Sequence, residues 1–170
     1  ALGPDDDTQN LRYRQDLHYH IARALANAGD AEAAVTEFRK ALELNPDDPR
    51  AHNDLGVLFA QEGDIETAER HYRAAIETKA DLALAYSNLG DLCGRQGRHD
   101  EAIEYFRQAV AIEPGNGDYQ YNLALRLAEA GRHDEAKIAY QCAIEMNPED
   151  PRPHNNLGLL LATEAVSYTH

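Results

Sequence analysis

Residues 49–82 read PRAHNDLGVLFAQEGDIETAERHYRAAIETKADL, and residues 83–116 read ALAYSNLGDLCGRQGRHDEAIEYFRQAVAIEPGN. With the second stretch laid under the first, Leu55-Gly56 falls on Leu89-Gly90, Gly63 on Gly97, Ala68 on Ala102, Tyr72 on Phe106 and Ala75 on Ala109. The frame extends backward through Ile21-Ala22, Gly29, Ala34, Phe38, Ala41 and Pro46. It extends forward through Leu123-Ala124, Gly131, Ala136, Tyr140, Ala143 and Pro148. A fixed period of this length marks one supersecondary unit that recurs and buries its apolar face on the next copy. The repeats therefore span 15–48, 49–82, 83–116 and 117–150, after a lead and helix extension over 1–14. A partial fifth repeat and tail occupy 151–170.

Apolar residues fall three and four apart on both sides of each glycine, which predicts two amphipathic helices joined by a glycine turn. Leu55, Leu58 and Phe59 share one face of the first helix of repeat two, and Ala68, Tyr72, Ala75 and Ile76 share one face of the second. Pro46, Pro114 and Pro148 close the second helices, because proline lacks the donor another turn needs. Repeat two has Ala80 there, so a softer ending is expected. From about Thr8 to Ala28 the sequence reads as one long first helix. The recurring small residues mark places where two helix backbones approach closely, and the aromatic at Phe38, Tyr72, Phe106 and Tyr140 is expected to fill the space between neighbouring units.

These small, aromatic and proline positions, in register over residues 15 to about 162, resemble the tetratricopeptide repeat. The resemblance implies an all-α fold, a right-handed α-solenoid of antiparallel helix pairs with four complete units and a partial fifth. The sequence departs from that pattern early in the first helix, where His18, His52, Tyr86, Gln120 and His154 stand in place of a bulky aromatic.

The chain of 170 residues carries a formal net charge of -14. Such a field repels phosphates, which argues against nucleic acid and favours a basic protein or peptide partner. The acidic residues at Asp5 to Asp7, Asp47-Asp48 and Glu149-Asp150 also suit solubility and helix capping. No apolar run approaches the ~20 residues that span a bilayer, so no membrane partner is expected. Cys93 takes a core position held by Leu25, Phe59, Leu127 and Leu161 in the other repeats, whereas Cys142 falls at a variable one; two reduced thiols in different environments fit a cytoplasmic protein. Beginning at Ala1, the sequence reads as an excised fragment.

The resemblance implies a concave groove lined by the first helices. Its candidate residues stand just before the Leu-Gly pair: Tyr19, His20, Asn53, Asp54, Ser87-Asn88, Tyr121, Asn122, Asn155 and Asn156. Two residues beyond the start of that pair come Arg23, Val57, Asp91, Leu125 and Leu159. Asparagine offers a donor and an acceptor, so a column of Asn88, Asn122 and Asn156, with Asp54 in line, pairs with the backbone of an extended peptide regardless of its side chains. The column is similar to the one in O-linked N-acetylglucosamine transferases, whose asparagines hold substrate peptides. A clamp for a C-terminal carboxylate needs two converging cations. The frames Tyr19, Arg23, Asp54, Leu84, Asn88 and Ser87, Asp91, Asn122, Arg152, Asn156 do not supply them.

His18, His52 and His154 are too far apart in sequence for a helical metal pair, and no cofactor or catalytic constellation is apparent, so no enzyme is expected. The function read from the sequence is a binding module for an extended peptide. The alternatives are a recognition arm of a larger enzyme such as a glycosyltransferase, or an assembly module. The fifth repeat stops before a second helix and has Ala165 at the turn-glycine position. Leu157, Leu160 and Leu161 are therefore expected to be uncovered, which implies either self-association through the C-terminal end or truncation of a longer protein.

Overall fold

The computed structural model describes the backbone of residues 4–167 and the side chains of residues 8–163. Among these residues the chain is all-α. Its helices are α1 (Pro4–Asn27), α2 (Ala31–Leu44), α3 (Pro49–Glu62), α4 (Ile65–Thr78), α5 (Ala83–Arg95), α6 (His99–Ile112), α7 (Gly117–Glu129), α8 (His133–Met146) and α9 (Pro151–Ser167). The second helices begin at 31, 65, 99 and 133, in strict register with the sequence period. The acidic lead at Asp5 to Asp7 lies on α1 with side chains outside the described residues. In the tail, Ala165 to Ser167 lie on α9 with their side chains likewise undescribed, and Tyr168 to His170 lie outside the described residues altogether.

Each turn rests on one glycine. Gly29, Gly63, Gly97 and Gly131 have φ between 74° and 84°, the left-handed conformation that a Cβ disfavours. The helices that follow are capped in two ways. Asp30 and Asp64 accept from the amides of Ala33 and Thr67 at 3.1 Å. Arg98 and Arg132 make no side-chain cap and instead reach forward to Glu101 and Glu135 in the first turn. α4 stops at Thr78 with its cap, Lys79, at φ -140°, the same ending as Asn45 and Asn147 beside their prolines. The softer ending expected from Ala80 does not occur. The Thr78 hydroxyl bonds back to the Ala74 carbonyl and competes with continuation of the helix.

The chain divides between Ala85 and Tyr86 into two compact units. In the first, α1 packs on α2 and α3 on α4 around Tyr19, Ala22, Phe38, Ala51, Leu55 and Leu58. In the second, α7 packs on α8, and α6 and α9 flank them around Phe106, Leu123, Ala124, Leu127, Tyr140 and Leu160.

The small residues do the work the sequence assigns them. A Cβ on Gly56 would lie 2.5 Å from the Tyr72 ring, and one on Gly90 would lie 3.0 Å from Phe106. Gly158 is the exception, with nothing within 4 Å of a Cβ. α9 is continuous through residue 165, and among the described residues no second helix follows it.

Candidate functional site

Two depressions occupy matching places in the two units. One, of about 240 Å³, lies between α1 and α3 and is lined by Arg23, Ala26, Asn27, Phe38, Asp54, Val57, Leu58 and Gln61. The other, of about 260 Å³, lies between α7 and α9 and is lined by Leu125, Ala128, Tyr140, Asn156, Leu159, Leu160 and Thr163. Every residue of the second corresponds to a residue of the first displaced by three repeats: Leu125 to Arg23, Tyr140 to Phe38, Asn156 to Asp54, Leu159 to Val57 and Thr163 to Gln61. The aromatic of the second helix thus floors each depression, and the first helices of two successive repeats wall it.

Each unit fastens those walls with the same side chains. In unit one the Tyr19 hydroxyl donates to Asp54 at 3.1 Å. Arg50 bonds Asp16 at 2.9 Å and Asp48 at 2.9 and 3.1 Å, and its guanidinium lies 4.5 Å from the centre of the Tyr19 ring. In unit two Asn156 donates to the Tyr121 hydroxyl at 3.2 Å. Arg152 bonds Asp118 and Asp150 and lies 4.8 Å from the centre of the Tyr121 ring. Burial, with the neighbouring Asp54 charge, pushes the Tyr19 phenol up to about 12, so it remains a donor at neutral pH. Burial opposes ionisation of Asp48, yet the hydrogen bonds and charge of Arg50 outweigh it and hold the carboxyl below the usual range.

These contacts revise several sequence expectations. Tyr19 and Asn53 are buried, their polar atoms turned to Asp54, so neither forms an open groove wall. Asp54 is part-buried, and Arg23 approaches it at 3.9 Å. His20 and Asn155 are exposed, Asn88 and Asn122 half-buried. Asp91 is exposed but lies 3.4 Å from Arg126, which also bonds Glu129. At the C-terminal end Leu160 is 8% exposed and belongs to the core of unit two, and Leu157 packs against that core. The leucines open to solvent are Leu159, at 66%, and Leu161, at 49%. Three consecutive leucines on a helix cannot share a face, because each residue turns the chain by about 100°.

The fastening arginines were missed. Their signal is the duplicated Asp48-Pro49-Arg50 and Asp150-Pro151-Arg152, in which the aspartate caps the next helix through the arginine amide at 2.9 Å. A second unforeseen contact joins α3 to α4. His52 Nδ1 lies 3.0 Å from His71 Nδ1, and the His71 ring stacks on Phe59 at an interplanar angle of 1°. Burial, with the neighbouring His52, Arg70 and Arg39, lowers the His71 imidazole to about 4. Among the described residues no three His, Cys, Asp or Glu side chains gather as a metal site, and no helix is long and apolar enough to cross a membrane.

Tetratricopeptide-repeat profiles match residues 19–83 and 81–149. Among solved structures the chain is similar to PilF of Pseudomonas aeruginosa, at 25% identity over 92% of this chain and 71% of that one, with a TM-score of 0.83. It is similar also to MamA, at 25% identity over 92% and 88% of the two chains, with a TM-score of 0.80. A third is YrrB, described as a tetratricopeptide protein with an unusual peptide-binding site, at 20% identity over 87% and 76%, with a TM-score of 0.75. No curated protein sequence matches. With its repeats matched from residue 19 to residue 149, the chain belongs to the tetratricopeptide repeat family, whose members generally mediate protein–protein interactions.

Proposed function

We propose that the protein binds extended peptide segments in the groove of its first helices, with the depression of each unit receiving a side chain and the neighbouring amides and carboxylate receiving the peptide backbone. The observation that carries this reading is the recurrence of one depression, with one floor and one fastening, at corresponding places in the two units. Asn122 and Asn156 each offer an amide, and a backbone bond to such a group contributes about 0.5–1.5 kcal/mol. The depression lined by Leu125 and Leu159 suits an aliphatic side chain. The one lined by Arg23, Asn27, Asp54 and Gln61 suits a polar one. The net charge of -14 favours a basic segment and speeds its encounter.

The test is selection of a random peptide library on the intact chain and on chains carrying Leu159→Arg or Asn122→Ala with Asn156→Ala. Both changes lie on exposed or half-buried side chains, and equal helicity by circular dichroism establishes that the fold is kept. Peptides with a recurrent aliphatic residue, depleted on the Leu159→Arg chain, are the expected result. Selection that both variants leave unchanged overturns the groove reading.

A further inference from the structure

The two depressions are lined by the same positions of the repeat, and those positions occur once more inside unit two, between α5 and α7. There they include Asp91, Gly94, Phe106, Leu125, Arg126 and Glu129. Two of these depart from the pattern together. Arg126 stands where Leu58, Leu92 and Leu160 are buried, and Gly94 stands where Ala26, Ala60, Ala128 and Ala162 recur.

The contacts explain why the two changes belong together. A Cβ on Gly94 would lie 2.8 Å from Cδ and Nε of Arg126 and 2.9 Å from its Cζ, so the arginine can lie against α5 only because residue 94 has no side chain. Its guanidinium donates to Glu129 at 2.8 Å and to Asp91 at 3.4 Å. The side chain is only 12% exposed, and among the described residues its buried Nε makes no hydrogen bond. Burying that donor unpaired is unfavourable, and a leucine here would avoid it. The paired arginine therefore lies across a place that is open elsewhere. Arg23, Leu58 and Gln61 leave it open between α1 and α3, and Leu125, Leu160 and Thr163 leave it open between α7 and α9.

We infer that Arg126 is a specificity-determining residue: it closes the α5–α7 place to side chains, so that unit two reads a single aliphatic residue of a peptide, at the depression between α7 and α9. This rests on the groove reading above and names what that groove refuses. A peptide residue passing over α5 and α7 meets a guanidinium paired with two carboxylates instead of an apolar recess. A second aliphatic side chain finds no cover there, whereas a small or polar one passes.

The test is the random peptide selection on the native chain, on Arg126→Leu, and on Arg126→Leu with Gly94→Ala, which restores the residues of the other repeats at both positions. Native helicity and a denaturation midpoint no lower than that of the native chain are expected for both variants. The native chain is expected to select one recurrent aliphatic residue. The variants are expected to select a second apolar residue at one fixed spacing from the first, enriched roughly tenfold, in keeping with the burial of one such side chain. Variants that fold and keep the first preference without gaining a second overturn the inference and leave the groove reading standing. A second fixed apolar residue already present in the peptides selected on the native chain overturns it equally. Unfolding of both variants would show that Arg126 holds the scaffold rather than the selection, and overturns it too. Selection that Leu159→Arg leaves unchanged overturns the groove reading itself, and this inference with it.

Discussion

The depression between α1 and α3 and the one between α7 and α9 share a plan and differ in chemistry. Both have an aromatic floor, Phe38 or Tyr140, and both have walls tied by an Asp-Pro-Arg arginine lying over a tyrosine. Yet Arg23, Asp54 and Gln61 in the first become Leu125, Asn156 and Thr163 in the second. The positions that set the scaffold are those with no room: the glycine under the aromatic, the alanines of the second helix, the capped aspartate. Positions two residues beyond the start of the Leu-Gly pair are exposed at Arg23, Asp91 and Leu159 and half-buried at Val57 and Leu125, so their chemistry changes at little cost to packing. A repeat array can thus hold geometry constant and vary recognition from unit to unit.

The largest effect that tests this division comes from two equivalent glycines. Gly56→Leu forces a side chain into the Tyr72 ring and is expected to cost about 3 kcal/mol, the upper range for overpacking a tight contact. Gly158→Leu meets open space and is expected to stabilise by about 0.5–1 kcal/mol through helix propensity. Denaturant unfolding of both variants reads the difference. Equal costs at the two sites would mean that something already covers Gly158.

The fastenings differ next. Asp48 is 2% exposed and takes a further hydrogen bond from the buried amide of Gln15. Gly117 replaces that glutamine in unit two, and Asp150 is more open. Asp48→Ala removes a helix cap and leaves the Gln15 amide unpaired, for an expected loss of about 2–3 kcal/mol. Asp150→Ala is expected to lose about 1 kcal/mol, close to the value of a cap alone. Matching losses would show that Gln15 adds nothing to the first fastening.

Acid separates the units a third way, since His52 faces His71 while its counterpart His154 faces no imidazole. His71 takes a proton near pH 4 folded and near 6.5 unfolded, so the unfolded chain binds more protons between those values. Its contribution is fully present above about pH 6.5 and is lost as the pH falls toward 4, amounting to about 2 kcal/mol by pH 5. Unfolding from pH 7.5 to 5 is expected to lose that increment in the native chain and to retain it in His71→Gln. An acid loss of the same size in His71→Gln as in the native chain would remove the His52–His71 pair as its origin.

The fold was legible because its determinants are local and periodic. Gly63 needs a left-handed turn, Gly56 needs a missing Cβ, and each recurs at a fixed step, so one repeat interprets the others. The site was legible only in part. That Tyr19 and Asn53 turn inward to Asp54 depends on a neighbouring repeat 35 residues away for Tyr19, and position along a helix does not say whether a polar side chain faces the groove or a partner. Leu160 failed for the opposite reason: among the described residues no second helix covers one flank of α9, while α7 and α8 bury the other. The His52–His71 contact joins two recurring positions whose residues vary, His18 with Glu37 before it and Tyr86 with Tyr105 after it, so the spacing recurs while the chemistry does not.

The smallest effects are on recognition, and they test whether the two depressions act separately. Arg23 is exposed and only 3.9 Å from Asp54, so Arg23→Glu is expected to change stability by less than about 0.5 kcal/mol. It places a second carboxylate beside Asp54, and the selected peptides are expected to gain a lysine or arginine at one fixed position. Leu159→Arg is expected instead to remove the aliphatic preference at another position. If each substitution alters only its own position in the selected peptides, the two depressions act as separate subsites. If either shifts both, the peptide moves as a rigid register, and the contrast between Arg23 and Leu125 governs where the segment starts rather than which side chain each unit accepts.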